Sequence, residues 1–108
     1  FIHIMDLAES HIASLNYLDD NKTKENSFIA INIGTGKGTS VLELVQTFEK
    51  VNKININKHF VNRRLGDKAV VYANAKMAKK ILKWEASRSI EDMCRDGWNW
   101  QMNNPDGY

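Results

Sequence analysis

The segment Arg63-Arg64-Leu65-Gly66-Asp67 has the residue types to grip an anion. A guanidinium meets a phosphate through two parallel N–H bonds and stays charged at any working pH. Two adjacent arginines point in different directions, so one can serve the loop while the other meets a ligand. Gly66 permits a sharp bend and a close approach of backbone to ligand. Asp67 can accept hydrogen bonds from sugar hydroxyls. Together the five residues suit a phosphorylated sugar. They suit a surface ion pair closed within the loop equally well, and the local pattern does not separate the two.

Gly34-Thr35-Gly36-Lys37-Gly38-Thr39 invites two nucleotide readings and satisfies neither. A dinucleotide fingerprint needs glycine at its first, third and sixth positions, and the sixth here is Thr39. A phosphate-binding P-loop needs Gly-Lys followed by Ser or Thr, and Gly36-Lys37 is followed by Gly38. A tight turn leading into a capped helix is the better reading, with a backbone anion cradle as the alternative. Tyr72 and Lys76 match the Tyr-x-x-x-Lys pair in which lysine lowers a catalytic tyrosine's pKa. That pair must share one helix face, and Asn74 starts a helix between them, so the match reads as chance. His3, His11 and His59 are scattered without metal-ligand spacing, and His11 falls on an apolar helix face as a packed residue. Cys94 reads as a small core residue. Trp84, Trp98 and Trp100 are better suited to a core than to stacking bases.

These residues must be held by an α/β pattern. Phe1–Met5 reads as a strand remnant, as of a chain cut within a larger protein. Asp6 and Glu9 form a capping box for a helix with Leu7, His11, Ile12, Leu15 and Leu18 at helical spacing. A polar loop at Asp19–Asn26 precedes a strand at Ser27–Ile33, apolar on both faces. Ser40 and Glu43 cap a second helix with Val41, Leu44, Val45, Phe48 and Val51 as its stripe. Ile54, Ile56 and Phe60 alternate through a third strand. Ala69–Ala73 is a short extended piece. Asn74 caps a short helix carrying Met77, Ala78, Ile81 and Leu82, and Ser89 caps a last helix to about Met102. The expectation is therefore short strands with about four helices.

The bulk numbers permit one small domain: 108 residues, 43% hydrophobic and 26% charged. A net charge of +2 announces neither a nucleic-acid nor a membrane partner. No apolar run is long enough to cross a membrane as a helix. A single cysteine allows no internal disulfide and predicts a reducing, cytoplasmic setting.

The order of motifs carries a resemblance. Phe1-Ile2-His3-Ile4-Met5-Asp6-Leu7-Ala8, Asn32-Ile33-Gly34-Thr35-Gly36 through Glu43, Arg63-Arg64-Leu65-Gly66-Asp67, Tyr72-Ala73-Asn74 and Trp98-Asn99-Trp100-Gln101 with Asn104-Pro105-Asp106-Gly107-Tyr108 follow one another. In that order the chain resembles the C-terminal third of UDP-glucose 4-epimerases, of the extended short-chain dehydrogenase family. The resemblance covers residues 1–108 and implies the small C-terminal α/β region that closes over a UDP-sugar. It implies that NAD, a Rossmann domain and the catalytic residues belong to the intact enzyme outside this chain. The chain alone should then hold no cofactor, metal or catalytic residue and be inactive. It implies that Arg64 holds the diphosphate and Asp67 a ribose hydroxyl, within a substrate-binding set of Arg63, Arg64, Gly66, Asp67 and Val71. Val71 lies where the family places either a bulky aromatic or a small residue against the sugar, which predicts acceptance of N-acetylated UDP-sugars. Leu65 stands where glutamate or proline is common, and Phe1 where tyrosine is frequent. The first helix would leave an apolar face open, for another partner or for self-association. Two rivals remain: another nucleotide-sugar epimerase or dehydratase, and a basic RNA-binding module using Lys58, Phe60, Arg63, Arg64 and Lys68.

Overall fold

The computed structural model describes residues 1–21 and 28–107. Most of the polar loop expected at 19–26, the start of the expected strand at Ser27, and Tyr108 lie outside them. The described residues form four helices: α1 (Ile4–Asp20), α2 (Val41–Asn52), α3 (Lys76–Ile81) and α4 (Ile90–Asn103). The sequence anticipates this number and, for α2 and α4, the start residues. Ser40 Oγ accepts from the Glu43 amide at 3.1 Å, and Glu43 Oε2 accepts from the Ser40 amide at 2.7 Å. Ser89 and Asp92 make the same reciprocal box on α4. Each box satisfies amide groups that the first helical turn leaves without partners. At the other end of α2, Lys53 turns the chain out with a left-handed φ of 53°. Asn74 acts one residue earlier than a cap: its Oδ1 accepts from the Lys76 amide at 3.1 Å, and Ala75 is the N-cap of α3.

The start of α1 corrects the sequence reading. The helix begins at Ile4, within the expected strand remnant, and its N-cap is His3, whose Nδ1 accepts from the Met5 amide at 3.1 Å. Asp6 sits in the first turn, completely buried, and spends its carboxylate on a distant residue instead of on the helix end. The buried face of α1 is also not the apolar one. Asp6 and Ser10 are fully buried, and Ala13 and Tyr17 follow at helical spacing against the core. Ile12, Leu15 and Leu18 are 50–62% exposed, and His11 is exposed, not packed. A polar pair can occupy the inner face because its bonds are made. Ser10 Oγ donates to the Leu7 carbonyl at 2.6 Å, and Asp6 receives Arg88.

The expected short strands are absent among the described residues. A strand is defined by the ladder it shares, and no backbone hydrogen bond joins 28–33, 54–60 or 69–73 to another of these segments. The segment 28–33, expected to be buried on both faces, has only one face against the core. Ile31 and Ile33 lean on the core, while Phe28 and Phe60 stand 91% and 85% exposed. What the described residues do not supply is the neighbouring backbone.

Two small cores hold the helices. One gathers Ala78, Leu82 and Trp84, with Ile2, Ala13, Tyr17, Ile31, Ile33, Ile81 and Ala86 against them. The other lies between α2 and α4. There the Phe48 and Trp98 rings meet edge to face at 5.8 Å, and Asn52 Nδ2 donates to the carbonyl of buried Cys94 at 3.2 Å. The radius of gyration is 17.5 Å, against about 13 Å for a compact chain of ~100 residues. The difference reflects segments that extend beyond these cores.

Candidate anion-binding site

Residues 57–72 form an arm exposed along its whole length. At its middle the Asp67 amide donates to the Arg64 carbonyl at 3.3 Å, closing a turn whose third residue, Gly66, has φ +89°. A turn with positive φ at that position favours glycine, which explains the residue before any ligand is invoked. The two arginines divide as their adjacency suggests. Arg63 Nη2 donates to the Asp67 carbonyl at 2.6 Å and so belts the loop. Arg64 makes a single contact, Nε to Asp67 Oδ2 at 3.4 Å, and its side chain is 87% exposed. The ion pair weighed against ligand binding therefore exists, but it is long and solvated. Such a pair contributes at most about 1 kcal/mol and competes weakly with an incoming phosphate. Leu65 is fully exposed at the tip, and Val71 is 78% exposed.

The arm is fastened at both ends. Before it, Glu49 Oε1 accepts from the Ile56 amide at 2.9 Å, and both Glu49 oxygens take Lys58 Nζ at 2.7 Å. These bonds hold the Glu49 carboxyl below the ordinary range, Lys58 contributing most. After it, residues 70–73 lie on the glycine loop. A methyl built on Gly34 would stand 2.8 Å from Ala73 Cβ, and one on Gly38 would meet Tyr72 and Val70 at 3.6 and 3.9 Å. Within the loop, Thr35 Oγ1 accepts from the Lys37 amide at 3.3 Å, and Gly36 turns with φ +73°. The first glycine, where a dinucleotide motif makes its tight turn, is backed by Ala73, and the sixth position is Thr39 instead of glycine. The glycine loop is thus a turn and a bed for the arm. That role was missed from sequence because it depends on a residue 39 positions away.

Two open clefts of about 480 and 460 Å³ lie beside the glycine loop. The first runs past Phe1, His3, Lys37 and Arg88, the second past Gly34, Tyr72, Lys76 and Trp84. Arg63, Arg64, Gly66, Asp67 and Val71 line neither. Tyr72 precedes α3 and shares no helix face with Lys76, in keeping with a chance match. Among the described residues no cluster of His, Cys, Asp and Glu is placed to hold a metal.

Sequence reasoning also missed the ionic knot under the first cleft. Arg88 Nη1 donates to Asp6 Oδ1 at 2.5 Å, the Arg88 amide donates to Asp6 Oδ2 at 3.1 Å, and both Nη atoms reach Glu9. Burial penalises the Asp6 charge, but the bonds from Arg88 and Ser87 outweigh it and keep the carboxyl below its usual pKa. His3 Nε2 lies 3.2 Å from Asp96 Oδ2, joining the start of α1 to α4. The spacing of 82 residues between Asp6 and Arg88 left no local signal.

Comparison with known proteins places this geometry. A UDP-glucose 4-epimerase of Arabidopsis thaliana is 52% identical over 108 residues, which is 100% of this chain and 30% of that protein. One from Drosophila melanogaster is 48% identical over the same shares. The crystal structure of UDP-glucose 4-epimerase from Bifidobacterium longum, in complex with NAD+ and UDP, superimposes with a TM-score of 0.87 at 38% identity. It covers 100% of this chain and 31% of that one. Along its whole length the chain matches the C-terminal 30% of UDP-glucose 4-epimerases. It spans about 30% of the length of the curated relatives it matches. No family model matches it. The epimerase likeness covers the whole of this chain, the exposed arm included.

Proposed function

We propose that this chain is the UDP-sugar-binding portion of an NAD-dependent UDP-glucose 4-epimerase, the enzyme that interconverts UDP-glucose and UDP-galactose. The observation that carries the reading is Arg64, a guanidinium 87% exposed on a turn that Arg63 and Gly66 already shape. Its terminal nitrogens are free to take the diphosphate. Asp67, at 40% exposure and bound only loosely, takes a ribose hydroxyl. Arg63 shapes the turn, and Val71 faces the sugar end. The likeness to an epimerase whose structure holds UDP supports these roles.

Nicotinamide chemistry belongs, in this reading, to the part of the epimerase that does not align with this chain. The glycine loop does not match the dinucleotide fingerprint, because Thr39 stands at its sixth position. The chain alone would bind UDP weakly and turn nothing over, and the intact protein would work in the cytoplasm in galactose metabolism. The open face of α1 would rest on that non-aligned part. Residue 71 leaves room for a 2-acetamido group, so the intact enzyme would also accept UDP-N-acetylglucosamine. The RNA-binding alternative is disfavoured, since Lys58 is committed to Glu49 and breaks the basic stripe.

The test is titration of UDP into the protein, followed by amide NMR. Perturbations should centre on 63–67, and Arg64→Ala should weaken binding by roughly tenfold or more, as loss of a charged hydrogen bond costs about 1.5–3 kcal/mol. Equal UDP affinity in the parent and Arg64→Ala would sink the reading.

A further inference from the structure

The arm makes few bonds of its own, so its place must be set where it is fastened. At the downstream end the fastening is steric. Gly34 has no positive φ, and its lack of a side chain is not a demand of backbone conformation. It is a demand of space: an added Cβ would stand 2.8 Å from Ala73 Cβ, with Ala73 Cα next at 3.9 Å. Ordinary contact between carbons lies at about 3.5–4.0 Å. A methyl on residue 34 must therefore push Ala73 away by roughly 1 Å. Ala73 has no flexible side chain that could yield, so its backbone moves. Val71 lies two residues before it and Asp67 six. At the upstream end the fastening is polar, through Glu49 to the Ile56 amide and Lys58. The downstream residues 70–72 gain further support from Gly38, beside Tyr72 and Val70.

From this geometry we infer that Gly34 and Ala73 are positioning residues that form a steric clasp, setting where the Arg64–Val71 arm presents its ligand groups. The inference rests on the proposal that this arm grips UDP. The clasp acts through the backbone and touches no ligand. It makes the pair interdependent: either residue can carry the methyl, but not both. Glycine at 73 leaves only Ala73 Cα near a methyl on residue 34, at the ordinary distance of 3.9 Å.

The test is a swap. Gly34→Ala should weaken UDP binding by about tenfold, as an ångström of misplacement is costly to a multi-point grip. It should also shift the methyl resonances of Val70, Val71 and residue 73. The double variant Gly34→Ala/Ala73→Gly should recover UDP affinity to within about twofold of the parent and move the Val70 and Val71 methyls back. A generic packing defect would not be cured by removing a second methyl. The clasp is overturned if Gly34→Ala binds UDP like the parent, or if the double variant binds no better than Gly34→Ala. If Gly34→Ala loses its helical circular dichroism, the double variant decides: recovery of fold and binding supports the clasp, and failure to recover overturns it. Where Arg64→Ala has left UDP binding unchanged, the UDP reading falls, and the methyl shifts of the swap series still judge the clasp by itself.

Discussion

The region around Asp6 and Trp84 and the arm from 57 to 72 solve opposite problems. In the first, a carboxylate with no solvent exposure is held by a guanidinium, a backbone amide and a serine, and the tryptophan is 93% buried. Its groups face inward, and each buried charge has its partner. In the arm every residue is exposed, and Arg64 has one long contact. Charges in the first region are consumed by the fold, whereas those in the second are left available. An ion pair is therefore a poor guide to function by itself. The short, buried Asp6–Arg88 pair is architecture, and the long, solvated Arg64–Asp67 pair is where a ligand can compete.

That contrast can be broken most forcefully at the core. Trp84→Ala should destabilise the protein by about 3–5 kcal/mol in urea denaturation, the usual cost of emptying a tryptophan site. Arg88→Met comes next in the same measurement, because it strands the carboxylate of Asp6, which has no solvent exposure. The pH dependence sharpens this. The folded-state pKa of Asp6 is depressed, so its contribution is complete above the ordinary carboxylate range and is lost as pH falls through the folded value. The parent's urea midpoint should drop on acidification below about pH 4, and the drop should be shallower in Arg88→Met. An equal acid slope in both would show that the pair is not the acid-labile element. Ser40→Ala removes a cap between the two regions and should cost about 1 kcal/mol by the same measurement. On the arm, Leu65→Ser should change stability by less than about 0.5 kcal/mol, since the side chain touches nothing. A larger loss would mean that the arm is packed after all.

The features legible in sequence were local. The Ser40–Glu43 box and the Ser89 cap are written within four residues and appear as read. The turn at Gly66 and the division of labour between Arg63 and Arg64 follow from adjacency. The failures were relational. Asp6 looks like a cap because aspartate three residues before glutamate often is one, yet Arg88 claims it. The apolar run in 28–33 and the alternation in 54–60 describe half of a ladder, and the other half is not among the described residues. The α1 stripe is real as a pattern and stays open, as expected, but His11 is not packed, and Asp6 and Ser10 with their bonds made take the inside. The glycine loop was judged by nucleotide templates, when its requirement was set by Ala73.

Cys94 is the one thiol of this chain. The residue is 97% buried between α2 and α4, and burial pushes its thiol pKa up, so it stays protonated and out of reach. This chain is therefore shielded from alkylating reagents at its one thiol. A cysteine introduced at Leu65 would be its one addressable thiol, and a nucleotide analogue tethered there could be held against Arg64 whatever its intrinsic affinity.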